Sequence, residues 1–104
     1  MSSTIKSGTR LYCAVDATEF VVVKAPTNPV DLTIGGAPMI LSVDARVEGG
    51  AVVDGHDGGA AIGKRYVNAA GTVELLCTKA GLGVPAIEGE LLALKDAKSL
   101  PSSD

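Results

Sequence analysis

The sequence predicts a mostly β protein, built from two tandem small β units that pack around a pseudo-twofold axis as an intramolecular dimer. The composition is rich in turn formers, with 13 glycines and 5 prolines among 104 residues. Short runs of β-branched residues lie between those turn formers, a pattern typical of short strands rather than long helices. A segment that begins at Gly8 also returns in weaker form at Gly63. These observations together favour a duplicated β module.

The duplication is visible when Gly8 is aligned with Gly63 and the two copies are followed in parallel. An internal repeat in the sequence indicates a fold built from repeated units, and overlooking it leads to a wrong fold prediction. Two residues must be dropped from the first copy after its central strand, and the alignment then continues at a slightly shorter offset. The identical pairs on which the alignment rests are Gly8 with Gly63, Arg10 with Arg65, Glu19 with Glu74, Lys24 with Lys79, Ala25 with Ala80 and Gly36 with Gly89.

The alignment also predicts how the chain is organised. A chain of 104 residues supports a single domain over residues 1–104. Within it we expect repeat one at residues 8–43, a glycine-rich linker at 48–62, repeat two at 63–95 and a polar tail at 99–104. The linker is assigned because glycine, aspartate and alanine dominate its composition.

Each repeat is predicted to form a hairpin followed by shorter extended pieces. The run Glu19–Lys24 gives the strongest strand signal, because its interior is aromatic and β-branched. Residues 90–98 also have a helix-forming composition, and the alignment with repeat one decides for a strand there. The predicted strands are Arg10–Val15, Glu19–Lys24, Val30–Ile34 and Pro38–Val43 in repeat one, and Lys64–Val67, Thr72–Lys79 and Glu90–Lys95 in repeat two.

Charge and composition argue against several function classes. The formal net charge is −3, the pI is about 5.0, and there is no basic stripe, so nucleic-acid binding is not expected. No apolar run approaches the roughly 20 residues of a membrane helix. The polar first residues lack the apolar segment of a signal peptide, which predicts a cytoplasmic protein. Two cysteines in that compartment do not indicate a disulfide framework.

Residues 8–39 resemble the desulforedoxin-type module, which is also found at the N-terminus of desulfoferrodoxins. That family's pattern is a glycine, a tyrosine and a C-x-x-C-G knuckle, then a valine-rich strand, a turn and a C-C-G-x-P-M ending. Here Tyr12 and Cys13 stand where the knuckle begins, residues 20–24 on the strand and residues 36–39 on the ending. Residues 63–92 resemble the module more faintly. The resemblance implies a small iron- or zinc-binding β module that commonly forms homodimers.

The chain departs from that pattern at most of the positions where the resemblance implies metal ligands. A soft metal in such a knuckle needs four sulfur or nitrogen ligands in tetrahedral geometry. The resemblance therefore implies a scaffold that has lost its metal, and no cofactor is expected. An isoleucine among these positions indicates that the metal pocket has become core. The implied ligand positions fall on Cys13, Asp16, Ile34 and Gly35 in the first copy, and on Asn68, Gly71, Ile87 and Glu88 in the second.

Two further side chains could carry chemistry. Cys77 lies in a predicted strand, where a cysteine is most often a small buried hydrophobe. His56, between two aspartates, could help to bind a divalent ion, or could belong to a polar loop without a ligand. If the protein binds iron or zinc, the expected ligands are Cys13, Asp16 and His56, in a site assembled across subunits.

The leading interpretation is a non-enzymatic small subunit or protein-interaction module, which binds a protein partner or a second copy of itself. One alternative is a redox or metal-binding protein with an iron or zinc site shared between subunits. Another is a small-ligand binding module that uses the former metal pocket. The candidate interaction residues are Tyr12, Phe20 and Val22, because exposed aromatic side chains tend to anchor interfaces. For Phe20, a place in the core is favoured over the surface.

Overall fold

The computed structural model describes residues 4–47 and 50–95, and these residues form a mostly β fold of two antiparallel sheets. The prediction of a mostly β protein is therefore confirmed. One 3-10 turn, Val43–Ala45, lies between the strands of the two halves. The strands are β1 Arg10–Tyr12, β2 Glu19–Lys24, β3 Leu32–Ile34, β4 Ala37–Pro38, β5 Arg65–Val67, β6 Glu74–Lys79, β7 Pro85–Ile87, β8 Glu90–Leu91 and β9 Ala93–Leu94.

Both sheets contain strands from the two halves of the chain. The five-stranded sheet has the order β1-β2-β6-β5-β9, and the four-stranded sheet has the order β4-β3-β7-β8. In the larger sheet, β2 and β6 pair with Val21 opposite Leu76. In the smaller sheet, β3 and β7 pair with Thr33 opposite Ala86. The centre of each sheet is therefore a contact between the first and second halves.

The strand positions repeat along the chain. The first residues of β1 and β2 align in sequence with the first residues of β5 and β6, and those of β3 and β4 align with those of β7 and β8. The hairpin registers also correspond: β1 places Leu11 opposite Phe20, and β5 places Tyr66 opposite Leu75. The strands therefore recur at the same two offsets at which the sequence itself aligns.

The core is mainly aliphatic, as the small number of aromatic residues leads one to expect. Alternate residues of β2 turn inward, so that Phe20 and Val22 are 0% and 2% exposed. The Phe20 ring meets Tyr66 edge to face, with ring centroids 5.9 Å apart. Aromatic pairs prefer this arrangement. The other core side chains include Leu11, Cys13, Leu32, Ile34, Val73, Leu75, Cys77, Ile87 and Leu92.

Each half contains a tight hairpin with two successive residues at positive φ, the geometry of a type I′ turn. The β3–β4 hairpin turns through Gly35 (φ 69°) and Gly36 (φ 86°). The β7–β8 hairpin turns through Glu88 (φ 51°) and Gly89 (φ 83°). Glu88 is held in this uncommon conformation by Asp31, whose main-chain oxygen accepts from Glu88 N–H at 2.8 Å and whose N–H donates to Glu88 Oε2 at 2.7 Å.

The strand predicted over Pro38–Val43 is wrong for most of its length. β4 ends at Pro38, and Ile40 makes a single bridge to Tyr12. The chain then enters the 3-10 turn, where the Ser42 hydroxyl caps the first turn by accepting from Asp44 N–H at 3.2 Å. A serine two residues before an aspartate favours such a local turn over a strand.

Other boundaries are shorter than predicted. The strand predicted over Arg10–Val15 ends at Tyr12, and the extended piece Val30–Ile34 is regular from Leu32. The predicted strand Glu90–Lys95 is divided at Leu92 into the two short strands β8 and β9. Leu92 itself is 4% exposed and turns into the core. Residues 96–98, the polar tail at 99–104 and linker residues 48 and 49 lie outside the described residues.

Candidate functional site

The turn after β1 carries a polar network that joins the two halves of the chain. The Asp16 Oδ1 accepts from the Thr18 N–H at 2.9 Å and from the Thr18 hydroxyl at 2.6 Å. Its Oδ2 accepts from the Leu82 N–H at 2.7 Å. The Thr18 hydroxyl in turn accepts from the Gly83 N–H at 3.1 Å. This group, Asp16, Thr18 and the N–H groups of Leu82 and Gly83, is called the Asp16 junction below.

The Cys13 thiol lies beside this junction, in the core. Its Sγ donates to the Ile34 main-chain oxygen at 3.3 Å. A Cβ added to Gly35 or to Gly83 would lie 3.3 or 3.2 Å from the sulfur, so both glycines let the thiol pack closely. Burial raises the pKa of the Cys13 thiol, and the neighbouring Asp16 carboxylate raises it further. A thiol in this setting is protonated at neutral pH and is a poor nucleophile.

The three metal-ligand candidates do not form a ligand set within one chain. In residues 4–47 and 50–95, no three histidine, cysteine, aspartate or glutamate side chains are grouped so as to hold a metal ion. Half-buried His56 is held by its main chain, which donates to Val53 O at 2.9 Å and accepts from Val84 N–H at 3.0 Å. Its Nδ1 is buried without a hydrogen-bond partner in the described part of the chain. A site shared between subunits stays a prediction.

Cys77 lies in β6 and is 1% exposed. Its thiol donates to the Lys79 main-chain oxygen at 3.3 Å, and burial raises its pKa. Cys77 is therefore a small buried hydrophobe whose S–H group is hydrogen-bonded, as expected for a cysteine in a strand.

The predicted interaction residues do not share a surface. Phe20 and Val22 face the core, because β2 lies inside the five-stranded sheet and its alternate side chains turn inward. Neither is exposed on the folded surface, so the core placement favoured for Phe20 is confirmed and the surface choice of Val22 is wrong. Tyr12 is half-buried at the outer edge of β1, where its N–H and C=O exchange hydrogen bonds of 2.9 and 3.0 Å with Ile40.

Three exposed aliphatic side chains lie on the segment that follows the Tyr12–Ile40 bridge. Leu41, Val43 and Val47 are 62%, 46% and 57% exposed. They belong to the segment between the Tyr12–Ile40 bridge and the hydrogen bond from Val47 N–H to Ala14 O at 2.7 Å. These three side chains are called the 41–47 surface below. Both ends of the segment that carries them are held on the first half of the chain.

Arg46 fixes this segment from within. Its Nε donates to the Cys13 main-chain oxygen at 3.0 Å. Its guanidinium also lies 3.6 Å from the Glu19 carboxylate, an ion pair beyond hydrogen-bond distance. The apolar side chains of the 41–47 surface are therefore presented on a tethered segment.

Sequence reasoning missed Thr18, Arg46 and Gly81, which all support this region. The predicted hairpin already places a turn at residues 16–18, but the bonds from that turn to Leu82 and Gly83 were not predicted. No comparable signal existed for Arg46, whose partner is the main chain of a residue 33 positions away. Gly81 is required by close packing against Thr18, which only the folded chain reveals.

The stability that the Asp16 junction contributes is expected to depend on pH. Burial raises the pKa of Asp16, but hydrogen bonds from Thr18 and Leu82 outweigh it and hold the pKa below the ordinary value of 3.8. A carboxyl group whose folded pKa is lowered stabilises the fold above the unfolded pKa. That contribution is lost as the pH falls through the folded pKa.

We expect Asp16→Asn to lower the free energy of unfolding by about 1–2 kcal/mol at pH 7, because an amide has only one oxygen to accept from Thr18 and Leu82. Urea unfolding at several pH values measures the free energy of unfolding of the variant and of the unaltered chain. The difference between the two free energies should narrow as the pH drops below 3.8. The control is Asp44→Asn, an exposed aspartate whose carboxylate makes no hydrogen bond to the described residues. A difference that stays constant down to pH 2 would contradict the assigned pKa direction.

Among the described residues, no helix has the length and apolarity needed to span a bilayer. Comparison of the chain with family models, with curated proteins and with solved structures found no match.

Proposed function

We propose that this protein is a non-enzymatic small subunit or protein-interaction module. The observation that carries this proposal is the 41–47 surface, where three large aliphatic side chains stay exposed on a segment held at both ends. Apolar side chains that a small protein leaves grouped on its surface mark sites of association. Arg46 and the two anchored ends already hold the segment in place. Binding of a partner therefore costs little conformational entropy for ordering this segment.

The scaffold that we propose is a pair of tandem desulforedoxin-like units related by a pseudo-twofold axis. The matching positions of the strands in the two halves support it. The central pairing supports it as well, since Glu19 faces Lys79 while Glu74 faces Lys24. This pairing is unchanged when the two halves of the chain are exchanged, as a twofold axis requires. The proposed axis passes between β2 and β6 and between β3 and β7.

We propose that this scaffold no longer binds a metal ion. Cys13, Ile34 and Gly35 lie next to one another. The resemblance implies this for residues that stand at metal-ligand positions. The Cys13 thiol donates a hydrogen bond to the Ile34 carbonyl oxygen. The Asp16 carboxylate accepts three hydrogen bonds, two from Thr18 and one from Leu82. On this proposal, polar contacts such as the hydrogen bond from Leu82 N–H to Asp16 supply stability that a metal ion would supply in a working knuckle. The iron or zinc alternative and the small-ligand alternative remain predictions for direct tests.

Replacing Leu41, Val43 and Val47 together with serine tests the proposal. The triple variant should keep the stability of the fold, because surface substitutions away from the core change it by about 0.5 kcal/mol or less each. Its association with a protein partner or with itself should weaken at least about tenfold, the factor that about 1.4 kcal/mol represents. Co-purification of the untagged chain from its source cells, followed by size-exclusion chromatography and mass determination, measures the fraction in complex.

Ile62→Ser is the matched control, because Ile62 is 66% exposed but lies in the second half of the chain. It should leave association unchanged. Equal complex formation by the triple variant and the unaltered chain would contradict the role of this surface. Turnover by the isolated chain, abolished by Cys13→Ala or His56→Ala, would contradict the non-enzymatic function itself.

A further inference from the structure

We infer that the linker between the two halves is a cover for the Cys13 thiol, with Val52 as the side chain that closes the core above the sulfur. The thiol is then reached from solvent only when this part of the linker leaves the β3–β4 hairpin. The inference does not depend on the proposed interaction function, which makes no use of this buried nucleophile. Linker residues 50–60 are called the cover below.

The space beside Gly35 brings the cover and the thiol together. The point where a Cβ of Gly35 would stand lies 3.2 Å from Val52 Cγ2, 3.3 Å from Cys13 Sγ and 3.4 Å from Gly83 Cα. Because Gly35 has no side chain, nothing from this residue separates the Val52 methyl group from the sulfur. Cys13 is 0% exposed and Val52 is half-buried, so Val52 lies on the solvent side of this space.

The start of the cover is attached to the first half on both sides of Val52. The Gly50 N–H donates to the Val47 main-chain oxygen at 3.4 Å. The Val53 N–H donates to the Gly35 main-chain oxygen at 2.9 Å. These two bonds set the position of Val52 beside Gly35.

The rest of the cover is bonded to the second half. The His56 main-chain oxygen accepts from the Val84 N–H at 3.0 Å, and the Gly59 N–H donates to the Leu82 main-chain oxygen at 3.0 Å. Leu82 and Val84 are the neighbours of Gly83, the second glycine that packs against the sulfur. The cover therefore joins the two chain segments that form the walls around the thiol.

The two walls are also bonded to each other without the cover. The Gly35 N–H donates to the Val84 main-chain oxygen at 3.0 Å. The Asp16 junction holds Leu82 and Gly83 on the first half. Release of the cover therefore opens the space above the sulfur while the two halves stay together.

The second half has neither a thiol nor a cover at the equivalent place. Asn68 stands at the position that corresponds to Cys13. A Cβ added to Gly36 would lie 2.5 Å from the Val53 Cβ, whereas a Cβ added to the corresponding Gly89 would meet no described atom within 4 Å. The cover thus lies over the hairpin that adjoins the cysteine.

The cover has the features of a segment that opens locally. Gly55 and Gly59 have positive φ, and glycine gains more conformational freedom on release than any other residue. Val53 is 49% exposed, so its packing buries little apolar surface. Such segments open at a lower free energy than core strands. Cys77 lies in the central strand β6, so Cys13 should react before Cys77.

Alkylation of the folded chain by iodoacetamide at pH 8 tests the cover, with the labelling of each cysteine followed by peptide mass spectrometry. Val52→Ala should raise the labelling rate of Cys13 at least about tenfold and leave that of Cys77 unchanged, because only the route to Cys13 is opened. Ile62→Ala is the control, since Ile62 is a 66% exposed aliphatic residue of the same linker. It should change neither rate.

Hydrogen exchange of the unaltered chain gives an independent measurement. The Val53 N–H bonds to Gly35 and should exchange when the cover leaves. Its protection factor and the slowing of Cys13 labelling relative to the denatured chain should agree within about threefold, and Cys77 should be slowed more. If Val52→Ala fails to fold, Cys77 will label as well, and this comparison decides. Equal slowing of Cys13 and Cys77 in the unaltered chain, or a folded Val52→Ala variant without faster Cys13 labelling, would overturn the inference.

Discussion

Replacing Phe20 with alanine is expected to lower the free energy of unfolding by about 3–5 kcal/mol. Phe20 is 0% exposed, lies in the central strand β2 and meets the Tyr66 ring edge to face at 5.9 Å. The substitution removes the largest side chain among those fully buried and leaves a cavity in the core. Chemical denaturation at pH 7 measures the loss.

Two controls separate a core role from an interface role. Phe20→Leu keeps most of the apolar volume and should cost clearly less than the alanine variant. Tyr12→Ala changes a half-buried aromatic residue at the edge of β1 and should also cost less. If Phe20→Ala keeps its full stability and only loses association, Phe20 is a surface anchor and its placement in the core is contradicted.

Replacing Gly81 with alanine is expected to lower the free energy of unfolding by about 2–3 kcal/mol, the cost typical of overpacking. A Cβ at this position would overlap the Thr18 Oγ1 and would lie 2.9 Å from both the Asp16 Oδ2 and the Thr18 nitrogen. The Thr18 nitrogen is main chain and the two oxygens are hydrogen-bonded within the Asp16 junction, so relieving the overlap costs packing or hydrogen bonds. The variant should therefore also weaken the bond from Leu82 N–H to Asp16.

Gly58→Ala is the matched control, since neither glycine has a positive φ. A Cβ on Gly58 would meet only Val84 Cγ2 at 3.5 Å, an ordinary contact. It should change stability by about 0.5 kcal/mol or less. The thermal unfolding midpoints of the two variants measure the difference. Equal midpoints would mean that the Asp16 junction accommodates an extra methyl group, and that its close packing does not hold the halves together.

The positions of β1, β2, β5 and β6 could be predicted from the sequence, because their signals are local. Strand β7 was not predicted, because Pro85 and the glycines before it are typical of a turn. The run Glu19–Lys24 has β propensity throughout its interior, and β2 has those bounds. The offset found at Gly8 and Gly63 recurs in the strands themselves. Prediction failed after Pro38, where the Ser42 cap and the path of the chain, not strand propensity, decide the conformation. Tertiary context overrides weak propensity in short segments of this kind.

The candidate site could not be predicted in the same way, because it depends on contacts distant in sequence. Asp16 bonds to Leu82, which lies 66 positions away. Alternation along β2 separates Phe20 and Val22 from Val21, but it does not reveal which set faces the second sheet. Likewise, Arg10 and Arg65 are identical in the sequence alignment. They differ only because strand β9 follows the edge of β5 while the chain leaves the edge of β1 after Ile40.

Native mass spectrometry of the untagged protein, combined with elemental analysis of the same sample, tests the proposed interaction function most directly. We expect assemblies whose masses are accounted for by polypeptide alone, either several copies of the chain or the chain with another protein. Serine substitution of Leu41, Val43 and Val47 should reduce these assemblies while the monomer remains folded. A monomer at every concentration that carries iron or zinc at a fixed stoichiometry, lost in Cys13→Ala, would contradict it.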